Sequence, residues 1–369
     1  MYYTTHRSSY CFEGNVKLSN FYLLTCVLVY SAFMGMRVGL GTDTMGYRQH
    51  FDLYQIKPSI ITSRFEYGYC FVLWVVSHLG LGKEVFMGVI SFIQLFFIFK
   101  IFEDKREILP YLVIVFIIST EFVNFNGGIR QITAMCIFFY SIKFIVERNL
   151  FKFLLCVALA WSFHKSALIV IIFYPLLNKN TNLFENVKLQ ILLLFICILL
   201  SRTSIIASII GYLDMVISIL GYSGYLERTD EIYRSDIQFG LGFLVTIVIH
   251  FIIVFNSSKV KEYFNDEWIN TAYKLFFIGT LIYYISISSH MVGRLNYYMH
   301  GLYFVFGALS LMYFKRTENQ TFMIALSLLY VLNFSHMIIS PSSYSVYYFT
   351  WQENEYFQKY GYEITEWTN

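Results

Sequence analysis

The chain has 369 residues, of which 57% are hydrophobic and only 14% charged, with a mean hydropathy of +0.55. Soluble domains carry roughly a quarter charged residues, so this chain lacks the charge to cover a water-facing surface, and lipid is the natural solvent for the apolar excess. A net charge of +3 gives no support for nucleic-acid binding, and four prolines are too few for a disordered chain.

These numbers predict an all-α, polytopic integral membrane protein with about 10–12 transmembrane helices. A spanning helix needs about 20 mostly apolar residues. Candidate spans lie at 20–36, 84–102, 108–124, 130–146, 151–163, 165–177, 188–200, 238–255, 270–288, 294–314 and 320–338. A further apolar stretch, 204–221, reads as re-entrant or interfacial. One membrane domain over 1–369 is the simplest organisation. The first apolar run lacks a small-residue cleavage site, since Phe33, Met34, Met36 and Arg37 stand there, and it reads as a retained helix.

Short basic loops stay cytoplasmic. Lys100–Lys105–Arg106, Arg148–Lys152, Lys179–Lys188, Lys259–Lys261 and Lys315–Arg316 mark five of them. The polar segment 1–19 then falls inside. The loop 37–83, the loop 201–237 and the tail 339–369 fall outside. This requires 66–82, which carries a glutamate, a histidine and three glycines, to lie along the outer surface as a helix.

The six cysteines form no CxxC pair and read as small apolar packing residues. His6, His50, His78, His250, His290, His300 and His336 have no metal-site spacing.

Five polar clusters land on the outer face: Arg37-Val-Gly-Leu-Gly-Thr-Asp-Thr-Met-Gly-Tyr47, Glu66-Tyr-Gly-Tyr69, Asn126-Gly-Gly-Ile-Arg-Gln131, Phe163-His-Lys-Ser166 and Arg294-Leu-Asn-Tyr-Tyr298. Ionisable groups at membrane depth are expensive and face a cavity or a partner. Arg130 and Arg294 are each expected to open a helix. A helix N-terminus already carries partial positive charge, so an arginine there calls for an anion. Phosphate fits the arginine fork. The plainer roles are an interfacial anchor for Arg37 or Arg294, a turn cap for Asp43, and a helix cap or a partner of Arg64 for Glu66. Outer tyrosines, Tyr47, Tyr67 and Tyr69 among them, are candidates for stacking on sugars or for ordinary interfacial positions.

These clusters resemble the EpsG family, a branch of the Wzy-type O-antigen and capsule polymerases. The resemblance is carried by Arg37, Gly39, Gly41-Thr-Asp43 and Tyr47, by Glu66 with Gly68-Tyr69, by Asn126, Gly128, Ile129-Arg-Gln131 and Ala134, and by Ala160, Phe163-His164 and Ser166-Ala-Leu168. It runs over the first half and continues weakly to Arg294. Family members usually have a further apolar segment ahead of the first helix here, where this chain has the polar stretch 1–19.

The resemblance implies a C-type glycosyltransferase-like fold in the bacterial cytoplasmic membrane, with its site facing the periplasm or exterior. The implied activity joins undecaprenyl-pyrophosphate-linked oligosaccharide repeat units into O-antigen, capsule or exopolysaccharide. Arg37, Arg130, Arg294, Asn126 and Gln131 would hold the pyrophosphate. His164 or Asp43, with Glu66 as an alternative, would take the acceptor proton. Tyr47, Tyr69 and Tyr297 would contact glycan. No cofactor is required, and a divalent ion stays open. A chain-length regulator and a flippase would be pathway partners. Two rival classes are a lipid-linked oligosaccharide flippase and a membrane sugar acyltransferase. A ligase acting on finished glycan would share the chemistry.

Overall fold

A computed structural model describes residues 16–41, 43–177, 185–201, 203, 212, 240–286, 290–339 and 346–360. The segment 1–15, nearly all of 204–221, most of the loop 201–237 and the end of the tail lie outside the described residues.

In chain order the elements are α1 (Val16–Gly35), β1 (Arg37–Gly39), α2 (Thr44–Ile56), α3 (Pro58–Arg64), α4 (Tyr67–His78), α5 (Lys83–Ile101), α6 (Leu109–Ile118), α7 (Glu121–Asn126), α8 (Ile129–Val146), α9 (Leu150–Phe163), α10 (Phe173–Leu176), α11 (Val187–Leu200), α12 (Leu241–Phe255), α13 (Ser257–Phe264), α14 (Glu267–Ile285), α15 (His290–His300), α16 (Tyr303–Arg316), α17 (Gln320–Ile339), β2 (Tyr347–Phe349) and α18 (Glu353–Tyr360). Short 3-10 turns cover Arg106–Ile108, Lys165–Ile172 and Thr350–Gln352. The described chain is all-α apart from the antiparallel pair β1–β2.

Among the described residues, α5 and α8 are long and apolar enough to cross a membrane, and the pair α12–α13, bent by 52°, is a third candidate. Residues 19–35, α9, 165–176 and α11 are shorter apolar helices. Several runs that read as single spans are broken. The run 108–124 splits between α6 and α7 at Ser119, whose backbone is extended. The run 294–314 splits at Gly301 and Leu302. The run 165–177 is 3-10 over most of its length, and Pro175 removes a backbone donor there. Apolar composition marks a buried or lipid-facing run but not where its hydrogen-bond ladder stops.

The chain forms two compact units. The first comprises Met1–Ile137, Ala158–Lys165 and Phe334–Asn369. Within it α1 and α5 pack backbone to backbone. A Cβ added to Gly35 would stand 2.4 Å from the Glu84 carbonyl oxygen, and one on Gly88 would stand 3.0 Å from that of Ser31. Small residues permit such close helix approach where lipid supplies no hydrophobic drive. Gln94 of α5 reaches the Ile129 carbonyl and the Thr133 hydroxyl of α8, both at 3.2 Å. Phe21, Leu24, Leu28 and Phe33 point outward from α1, as a lipid-facing stripe would.

The second unit comprises Phe138–Val157 and Ser166–Asn333. Several of its buried polar groups pair with one another. His250 lies 2.7 Å from the Tyr284 hydroxyl and 3.2 Å from His300, while Ser166 and Tyr298 share a 2.9 Å hydrogen bond. Buried polar groups in lipid require such partners.

Candidate functional site

The site assembles in the first unit around Glu66. This residue occupies the N-cap position of α4, but its side chain makes no capping bond there. One carboxylate oxygen instead accepts from Arg130 Nη1 at 2.5 Å. The other accepts the backbone N–H of Lys165 at 3.2 Å. Arg130 is the second residue of α8, where a cation opposes the helix dipole. The anion that compensates it in the structure is Glu66, where the sequence pointed to a phosphate. The guanidinium also lies over the Phe65 ring, 4.7 Å from its centroid, and 5.7 Å from that of Tyr69. Arg130 Nε is buried and has no hydrogen-bond partner.

Two glycines bring the other clusters in. Gly41 has φ +100°, and a Cβ there would stand 2.1 Å from the Asn126 carbonyl oxygen. That carbonyl also receives the Thr44 hydroxyl at 3.0 Å. The turn before Asp43 is thus seated on the turn before Arg130. Gly68 does the same for α9: a Cβ on it would stand 2.3 Å from Ser162 Oγ and 2.8 Å from the Ser162 carbonyl oxygen. This seats the first turn of α4 on the helix end that leads into His164. Four separated sequence clusters therefore meet through Gly41–Asn126, Gly68–Ser162, Glu66–Arg130 and Glu66–Lys165.

Asp43 holds the N-cap position of α2 and makes no side-chain capping bond. It is half-buried, as is His164, whose backbone N–H closes the last turn of α9 on Ala160.

Several residues expected to contact ligand are buried and bonded within the fold. Arg37 is 1% exposed. Its Nη1 donates to the Met34 carbonyl and lies 3.5 Å from Ser91 Oγ. Burial pushes its pKa down to about 10. It locks β1 to the end of α1 through Nη1, and its Nε is buried without a hydrogen-bond partner. Asn126 is equally buried, and its amide donates to the Phe122 carbonyl. Gln131 is buried as well. Tyr47 and Tyr69, expected as outer rings for sugars, are buried in an aromatic cluster with Phe65 and His50, so neither offers a face to glycan.

Two residues without a sequence signal matter here. His50 lies 3.1 Å from the Tyr69 hydroxyl and 4.3 Å, ring to ring, from Phe65. Burial, then the charges of Arg130 and Arg64, push its pKa down to about 4. Burial raises the Tyr69 phenol well above its ordinary value. Both groups are therefore neutral at pH 7, and their hydrogen bond buttresses the ring beside Arg130. Arg48, 1% exposed, binds Glu84 at 3.1 Å and Glu353 at 3.6 Å, and its Nη1 lies 3.5 Å from the Arg37 carbonyl. It ties α18 to the start of the Asp43 cluster. β2 pairs with β1 in the same place, with Arg37 opposite Phe349.

Arg294 and Tyr297 belong to the second unit. α15 begins at His290, so Arg294 lies past its first turn and does not open the helix as expected. Both residues are half-buried. Among the described residues, no group of three or more His, Cys, Asp or Glu side chains is arranged to hold a metal ion.

No curated protein and no solved structure gives a significant match to the chain. The profile of the EpsG family matches residues 20–352, a stretch that includes all four convergent clusters and Arg294. With its apolar helices, this is an integral membrane protein of polysaccharide biosynthesis type. The chain belongs to the EpsG family, a family of Wzy-type polymerase-like proteins.

Proposed function

We propose that the protein is a glycosyltransferase that joins oligosaccharide repeat units carried on undecaprenyl pyrophosphate, at the outer face of the bacterial cytoplasmic membrane. The growing glycan leaves its lipid diphosphate and passes to a hydroxyl of the incoming unit. The anomeric carbon gains oxocarbenium-like charge as the bond to the diphosphate breaks, and the departing diphosphate gains negative charge.

The observation that carries this reading is the environment of Arg130. Its Nη1 is fixed by Glu66, while its Nε–H is buried and unsatisfied. An uncommitted donor on a buried guanidinium is an unmet demand, and a phosphate oxygen meets it. The other Glu66 oxygen accepts the neutral backbone N–H of Lys165, so Arg130 is the cation paired with this carboxylate. A guanidinium with a donor left open suits a diphosphate leaving group and stabilises it electrostatically. Asp43 or His164 accepts the acceptor proton.

Complementation of a strain lacking the gene tests this. Wild type restores a ladder of long polysaccharide. Arg130→Ala and the double variant Asp43→Asn/His164→Ala, expressed at normal levels, leave single repeat units displayed outside the cell. Long ladders from these variants would overturn the assignment, and repeat units trapped inside the cell would indicate a flippase.

A further inference from the structure

We infer that the C-terminal segment Tyr347–Tyr360 carries a glycan-binding platform whose sugar-facing surface is the Trp351 ring. Trp351 is 69% exposed, yet its position is stiff. Its ring stacks on Phe349 with centroids 4.2 Å apart and planes 8° from parallel. Phe349 is in turn tilted against Phe33, centroids 6.2 Å apart. The turn between them is closed by Gln352, whose side-chain oxygen accepts the Phe349 N–H at 3.2 Å. Thr350 N–H binds the Met36 carbonyl at 3.0 Å, and Arg48 holds Glu353 from below. One indole face is backed by Phe349 and the other is open.

A rigid, open indole suits the apolar face of a pyranose ring, because its negative π surface attracts the positively polarised C–H bonds of that face. Ordering Trp351 costs nothing further on binding, since Phe349 and Gln352 already hold it. The rim fits the same ligand. Asn354, Glu355 and Gln358 of α18 are exposed and offer amide and carboxylate groups to sugar hydroxyls. An indole anchored among lipid headgroups is ordinarily accompanied by lysine or arginine. Here its immediate neighbours in the chain are Gln352, Glu353, Asn354 and Glu355, with no lysine or arginine among them to hold an anionic headgroup. The platform belongs to the same unit as the Glu66–Arg130 site and is built on the strand that pairs with Arg37–Gly39.

The identity of the glycan rests on the proposed function; the platform itself does not. The test is binding of free repeat-unit oligosaccharide, released by mild acid from the polysaccharide of the producing strain, to the purified full-length protein in detergent, read by calorimetry. Wild type and Trp351→Tyr bind. Trp351→Ala binds about tenfold more weakly, the loss expected for one aromatic face. Equal binding by Trp351→Ala, or no binding by wild type, overturns the inference. A variant with Trp351 as its sole tryptophan, reconstituted with brominated lipids, supplies a second readout. Little quenching supports the platform, and strong quenching places the indole in lipid and overturns it. If Arg130→Ala still polymerises while Trp351→Ala loses oligosaccharide, the functional reading fails and the platform stands. If Arg130→Ala abolishes polymer while Trp351→Ala binds normally, the platform alone fails.

Discussion

The Glu66 carboxylate accepts Arg130 Nη1 at 2.5 Å from a position 64 residues earlier in the chain, and the same carboxylate accepts the backbone N–H that follows His164. Both side chains are mostly buried, at 9% and 18% exposure. Breaking a buried ion pair by removing one partner leaves the other charge uncompensated, at a cost of about 3 kcal/mol or more. Glu66→Ala should therefore lower stability by about that amount, whereas the double variant Glu66→Ala/Arg130→Ala should recover part of it. Thermal unfolding of the four proteins in one detergent closes the cycle. Additive losses would show that the two groups do not interact.

Gly41→Ala forces a Cβ onto the Asn126 carbonyl at a backbone angle that disfavours side chains. Strain and overpacking together should destabilise the protein by about 3 kcal/mol. Gly46 lies inside α2 with open space around it, so Gly46→Ala should be neutral or stabilise by about 0.5 kcal/mol. Membrane-extracted yield and melting temperature of the two variants should diverge.

His50 gives the fold an acid-sensitive component. Its pKa is held near 4 in the folded protein, below its ordinary value of about 6.5. The unfolded chain therefore binds a proton first as pH falls. The stability from keeping His50 neutral is complete above about pH 6.5 and is lost progressively down to about pH 4. The loss is at most about 3 kcal/mol, and solvent screening of this partly exposed site reduces it. His50→Gln should flatten the pH dependence of the melting temperature between pH 7 and pH 5. An unchanged slope would assign the acid sensitivity to other groups.

Arg48 joins Glu84 to Glu353. Arg48→Met keeps much of the buried volume and removes both ion pairs. Limited proteolysis should then cut within 346–360 at least several-fold faster than in wild type, since the segment loses the charge that seats α18. Equal cleavage rates would mean that the β1–β2 pair alone holds the segment.

The glycines and charges of the four clusters were readable as a set, because such residues are costly beside lipid and so stand out against apolar runs. Their mutual contacts were not. The need of Arg130 for an anion follows from the helix dipole, but nothing in the local sequence names Glu66 as that anion. The tyrosines show the limit more sharply. Tyr67 and Tyr69 are two positions apart on α4, which turns about 200° between them, so Tyr67 is 78% exposed and Tyr69 is fully buried. Without knowing which face of α4 meets the core, both read as outer rings. Arg48 and Glu353 carry no motif and meet only because β2 returns to β1. The breaks at Ser119 and Gly301 interrupt helices inside continuous apolar sequence, where hydropathy is blind to hydrogen bonding.

Reconstitution tests the central claim most directly. The purified protein is placed in liposomes with undecaprenyl-pyrophosphate-linked repeat units and no nucleotide. The account predicts a ladder of joined units with wild type, and single units with Arg130→Ala and with Asp43→Asn/His164→Ala. Units that cross the bilayer without being joined, or a ladder that survives both substitutions, would contradict it.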